Sequence, residues 1–341
     1  MTRYLLILMA TLLLGSCTSV EGPRKPSATG KTGEMLVVTP TARWNGHAGD
    51  IIREAFGSDI PFLMQPEPHF NLIQIAEQDF VKLFETHRNI FFVEFDNSLE
   101  RGKIEVSRHV WSYPQRVIRL KVPDEAALQR IMDANTEEFI TLYLETERER
   151  LINAYSRMMN HGARNVIREK FGLDITVPEG YFIAKVEEDF VWLRQTGTRD
   201  DIELGLMISV FPYTDATADF APQTIWDRRN TMTRLHIPGS LPNSHMTTYP
   251  DIPPVFREIN FNGKYAMEGR GFWRMHNDFM GGPFVSITFV NENKGQLVNL
   301  DGFVYRPNRD KRDLLRQVEA LIYSVKPYVP GQDQEESEEI S

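Results

Sequence analysis

Histidines, carboxylates and a single thiol are the side chains through which this chain could do chemistry. The eight histidines, at 47, 69, 87, 109, 161, 236, 245 and 276, are scattered, and no two have the spacing of metal ligands on one helix or strand. No G-x-S-x-G, H-E-x-x-H or G-x-G-x-x-G run occurs. "TGKT" at 29–32 ends like a phosphate-binding loop, but Lys25 stands where the pattern needs glycine. The acidic run "ETERER" (145–150) reads as a solvated helix face. No catalytic residue, metal or cofactor is assigned on these patterns. A candidate ligand rim remains, at "GRGFWRMHNDFMGGPF" and the five-proline stretch 236–254, and its residues are Trp273, His245, His276 and Asp278. Arg270 and Trp273 lie three apart on a predicted strand and point to opposite faces, so only one can line a cavity. The indole is preferred because it offers broad apolar contact and one N–H donor.

The thiol is the only one in 341 residues. It ends "MTRYLLILMATLLLGSC", in which Arg3 precedes an apolar run of about a dozen residues, too short to span a bilayer. Leu14-Gly15-Ser16-Cys17 resembles a bacterial lipobox, which implies a signal peptide over 1–16 and an acylated Cys17. Two or three acyl chains make a durable anchor where one is marginal. A lone cysteine also excludes an intrachain disulfide. Thr18 follows the cysteine, with no aspartate and no acidic run, so the expected location is the outer membrane, lipid-anchored and facing the periplasm. Residues 17–33, rich in Ser, Thr, Gly and Pro, are expected to form a flexible tether, and 331–341 a disordered acidic tail.

Hydrophobic residues at 41% and charged residues at 25% suffice for a sizeable buried core. The formal charge of −9 includes five acidic residues in the tail, leaving a mildly acidic body. With no basic cluster in the sequence, nucleic acid is not an expected partner, nor is electrostatic docking on anionic lipid.

The elements that must position these residues follow from periodicity. "EMLVVTP", "FNLIQIAE", "RNIFFVEF", "KIEVSRHVW" and "QRVIRLKV" predict strands, and "GHAGDIIREAFG" and "QDFVKLFETH" predict helices. From Asp124 to Phe171 no proline occurs and the apolar period is helical. A straight helix of that length would reach about 70 Å, so breaks are expected near Asn135 and Gly162. Beyond Asp174 come further strands, the helix "APQTIWDRRNTMTRL", a hairpin at Asn262-Gly263 and the closing helix "RDKRDLLRQVEALIYSV". The expected class is α+β. It comprises two antiparallel-rich sheets with flanking helices, joined by the long helical segment, with domains over 34–171 and 172–330.

"GHAGDIIREAFG", "QPEPHFNLIQI", "HRNIFFVEF", "VPEGYFIA", "YAMEGRGFW", "MGGPFVS" and "GFVYRPNRDKRDLLRQVEALIYS", in this order, resemble a lipoprotein family of Bacteroidota known as domain of unknown function 4837. The resemblance implies an envelope lipoprotein and supplies no activity, ligand or catalytic residue. The order of elements in the second segment also resembles the PsbP-like sandwich, in fold only. The expected function is non-enzymatic binding or scaffolding in the cell envelope. The chain would meet the membrane through its lipid anchor, with a protein or glycan partner in the periplasm. The alternative is a motif-poor hydrolase acting on envelope polymers.

Overall fold

The computed structural model describes residues 25–197 and 201–331. The signal peptide, Cys17, the first part of the tether and the acidic tail beyond Gly331 lie outside the described residues. Among the described residues no helix is long and apolar enough to cross a membrane.

The first unit is built on β1 (Glu34–Val38), β2 (Asn71–Ile75), β3 (Asn89–Phe95), β4 (Lys103–Arg108) and β5 (Arg116–Val122), in sheet order β2-β1-β3-β5-β4. Its helices are α1 (Thr41–Trp44), α2 (His47–Phe56) and α3 (Lys82–Glu85). The class is α+β as expected, but this sheet is not antiparallel-rich. β1 pairs parallel with β2 and β3, β3 pairs parallel with β5, and only β4 runs antiparallel. The reason lies in the unbroken apolar runs "MLVV" and "NIFFV", buried residue by residue. Strands covered on both faces lose the in–out alternation of a half-solvated sheet; helices lie between β1 and β2 and between β2 and β3, whereas β4 joins the parallel β3 and β5. Met35, Val37, Phe91 and Val93 face α2 and the long helix, whereas Leu36, Val38, Ile90 and Phe92 face Phe80, Phe84 and Trp111. In α2, Gly49 lies so close to the Trp44 carbonyl that an added Cβ would sit 1.8 Å from it.

The tether expected over 17–33 is bonded to this unit from Pro26 onward. Tyr113 N–H donates to the Pro26 carbonyl at 2.9 Å, and Thr29 N–H to the Thr86 carbonyl at 2.8 Å. Composition could not show this, because the bonds are backbone bonds and need no apolar side chain.

Helix α4 (Glu125–Tyr155) follows, 31 residues without interruption and about 46 Å long at 1.5 Å per residue. Asp124 caps it, accepting the Ala127 N–H at 2.8 Å. The break expected near Asn135 does not occur, since the Asn135 amide donates to the Ile131 carbonyl one turn back. The chain turns instead at 156–160, where Asn160 caps α5 (His161–Phe171). Ala163, Ile167 and Phe171 of α5 pack into the second core, so the unit boundary falls before α5 and not at 171.

The second unit carries the strands β6 (Leu173–Asp174), β7 (Phe182–Val186), β8 (Phe190–Thr196), β9 (Glu203–Pro212), β10 (His245–Thr248), β11 (Val255–Phe261), β12 (Lys264–His276), β13 (Gly281–Asn291), β14 (Gln296–Tyr305) and β15 (Lys326–Pro327). Its remaining helices are α6 (Ala216–Asp219), α7 (Pro222–His236) and α8 (Arg312–Tyr323). The main sheet is antiparallel, in order β10-β12-β13-β14-β9-β8-β7, with β11 also on β12. β11 and β12 meet at Asn262 and Gly263, both at positive φ (53° and 82°), as a two-residue hairpin of this chemistry requires. Helices α5 and α8 cover one face of the sheet, and α7 covers the other.

The two units meet where α4 packs on α8 and where the loop before β2 reaches the start of α8. That meeting leaves a cleft.

Candidate functional site

The cleft lies between α4 and the 60–63 loop on one side and β11, β12 and α8 on the other, with a volume of about 770 Å³. Its upper wall is apolar, made by Ile60, Phe62, Leu63, Ile140 and Leu144. Phe62 holds a φ of 63°, unusual for a bulky residue, and its ring packs 5.9 Å from that of Phe272. Backbone kept in such a region costs on the order of 1–3 kcal/mol and gathers at ligand-contacting loops.

The floor is a chain of charges. Glu268, only 1% exposed, accepts from Arg257 Nε at 2.7 Å and Arg270 Nε at 2.9 Å, and Arg270 Nη1 meets Glu319 at 2.7 Å. Burial pushes the Glu268 carboxyl up, but the two guanidiniums outweigh it and hold it down at about 2. Two further arginines of α8, Arg312 and Arg316, line the same cleft. Arg316 is 4% exposed and has no carboxylate within ion-pair distance among the described residues. Its Nη2 donates to the His69 carbonyl at 2.6 Å, and its guanidinium lies over the Phe70 ring. Burial first, then the positive charges of Arg316, Arg270 and Arg312, bring His69 down to about 4. His69 is therefore neutral across the physiological range, and the cleft as a whole carries both signs, with Glu137, Glu138 and Glu145 of α4 opposite the arginines.

The strand register explains which side chains arrive here. On β12, Ala266, Glu268 and Arg270 face α8, whereas Met267, Trp273 and Met275 face α7. The opposition of Arg270 and Trp273 thus holds, but Arg270 lines the cleft and Trp273 does not. Trp273 is 1% exposed, donates its Nε1 hydrogen to the Val304 carbonyl at 3.1 Å and meets Phe303 edge-on at 5.3 Å. It is core, because a second aromatic layer under α7 takes up the opposite face of the strand.

His245 and His276 do come together, as cross-strand partners of β10 and β12 with ring centroids 4.9 Å apart. Asp278 sits beside them at the sheet end, accepting the Ser240 hydroxyl at 2.8 Å. None of these three lines the cleft. Instead of a lid, the proline-rich stretch 236–254 supplies β10 to the sheet edge. Among the described residues no group of three or more His, Cys, Asp or Glu is arranged to hold a metal. The sequence signal for the cleft was present but faint: Glu268 and Arg270 alternate on one strand, and Arg257 is the register partner of Glu268.

Residues 160–324 match the family described as Domain of unknown function (DUF4837). That match spans the second unit. Residues 28–156 match another family, Domain of unknown function (DUF8532). The gap between the two matches coincides with the turn between α4 and α5. The cleft therefore lies between the unit that matches DUF4837 and the unit that matches DUF8532. No curated protein matches the chain. Among solved structures, the Saccharomyces cerevisiae Ran-binding protein Mog1p is 8% identical, covering 46% of this chain and 90% of its own, with a TM-score of 0.28. LpqN, described as involved in cell envelope biogenesis of Mycobacterium tuberculosis, is 12% identical, covering 46% and 83%, with a TM-score of 0.26.

Proposed function

We propose that this protein is an envelope lipoprotein, held in the outer membrane on its periplasmic side by acylated Cys17, that binds a ligand in the cleft between its two units. The observation that carries the binding reading is the cleft itself, an apolar wall above a floor of paired charges. Glu268 is held near 2 and saturated by guanidiniums, so it fixes shape and charge and does not shuttle protons near neutral pH. Concave sites of several hundred Å³ with an apolar lining and a few fixed polar groups are the usual form of ligand pockets.

Two measurements test the two halves of this reading. Cys17→Ser should move the protein from the detergent phase to the aqueous phase in Triton X-114; unchanged partitioning removes the anchor. Titration with 1-anilinonaphthalene-8-sulfonate, an anionic apolar dye, should give a saturable rise in emission. Leu63→Glu, which places a negative charge in the apolar wall against an anionic dye, should weaken that binding about tenfold, equivalent to ~1.4 kcal/mol. Identical titrations for the two proteins would remove the cleft as the site.

A further inference from the structure

A second concavity, of about 700 Å³, lies on the first unit between the N-terminal segment at 25–28 and the last turns of α4. Its charged lining is Lys25, Arg88, Arg150 and Arg157, and no carboxylate lines it. Two acids lie nearby: Glu147, 2% exposed, shared by Arg150 Nη1 at 2.8 Å and Arg88 Nε at 3.4 Å, and Glu149, which also acts on Arg150 but pairs with Arg108 at 2.8 Å. Among the described residues Arg157, which is exposed, has no ion-pair partner, and Lys25 Nζ donates to the His109 carbonyl. Four cations in the lining against these two carboxylates behind it leave a positive pocket on a chain whose net charge is −9. These cations lie far apart in sequence, so folding creates a basic cluster that the sequence does not display. Tyr113, 46% exposed, stands at the rim and gives an aromatic edge of the kind that settles at lipid–water interfaces.

The pocket begins eight residues after Cys17, and eight residues span at most about 28 Å. We propose that it receives the phosphate of an anionic phospholipid headgroup, seating the first unit against the membrane that holds the lipid anchor. The proposal rests on the anchored reading for its nearness to the membrane. The chemistry is charge pairing of phosphate with guanidinium and ammonium groups, without base or acyl-chain recognition. A basic residue close to an anionic surface strengthens attachment about fivefold, and salt weakens it.

The test uses the mature chain from position 17 with Cys17→Ser, so that no acyl group contributes. In vesicle flotation the chain should bind phosphatidylcholine vesicles containing phosphatidylglycerol far better than phosphatidylcholine alone, with the difference lost at high salt. Lys25→Ala with Arg157→Ala should reduce that binding on the order of 25-fold, with an unchanged melting temperature. Equal binding to both vesicle types, or a double variant that binds as the parent does, overturns the proposal. So does calorimetric binding of inorganic phosphate without vesicle association, which would assign the pocket to a soluble phosphate compound. Failure of the detergent partitioning of Cys17 leaves this experiment readable, so the two readings fall separately.

Discussion

The carboxylate of Glu67, in the first unit, accepts the backbone N–H of Arg312, in the second, at 2.8 Å across 245 residues of sequence. Its other oxygen accepts the Lys311 N–H at 2.7 Å. The first turn of α8 is thus capped by the neighbouring unit, where an anion also suits the positive end of the helix. Glu67→Ala leaves two buried N–H groups without partners and should cost about 2–3 kcal/mol. Urea denaturation should show this loss, together with faster hydrogen exchange in both α8 and the 60–70 loop. Exchange that rises in α8 alone would mean that the contact does not couple the units.

Trp273→Ala removes a fully buried indole and its bond to Val304, and should lower stability by about 3–5 kcal/mol. Differential scanning calorimetry reads the loss directly. Arg270→Met, on the opposite face of the same strand, should alter dye binding in the cleft.

Arg229 and Asp301 form a buried pair, 5% and 2% exposed, with Arg229 Nε 2.6 Å from the carboxylate and its guanidinium over the Phe284 ring. Burial pushes the Asp301 carboxyl up against the opposing pull of Arg229. Arg229→Met strands a carboxylate under α7 and should cost about 3–5 kcal/mol. The double change with Asp301→Leu should recover most of that loss, because an apolar pair leaves no charge to solvate. A double-mutant cycle by chemical denaturation measures the coupling.

Acid should weaken the fold before its carboxylates titrate. His69 is lowered from 6.5 to about 4, so below pH 6.5 the unfolded chain takes up a proton that the folded chain refuses. The associated stability is complete above 6.5 and is lost as the pH falls toward 4, with a magnitude on the order of 2–3 kcal/mol. Glu268, lowered from 4.5 to about 2, adds its own loss only below 4.5. His69→Gln should therefore make the fall between pH 6.5 and 4.5 shallower without abolishing it, because burial also lowers His87, His109, His236 and His245, and it should leave the fall below 4.5 intact.

Local chemistry was legible in the sequence wherever neighbours along the chain decide the outcome. Asn262-Gly263 takes positive φ at both positions, the apolar stripe of α8 is buried, and α2 closes at Gly57 as its composition implies. The alternation of β12 also fixed that Arg270 and Trp273 must part company. Which of them faces a cavity was beyond the sequence, because the answer depends on α7 covering one face of the sheet and α4 approaching the other. Strand direction in the first sheet was likewise hidden, since an apolar run buried on both sides carries no period to distinguish parallel from antiparallel pairing. The groupings of cations were the least visible of all. Arg316 meets His69, and Lys25 lies beside Arg157, only after segments distant in sequence are brought together. Their charges then act on one another and on a ligand through space, a property that no run of adjacent residues contains.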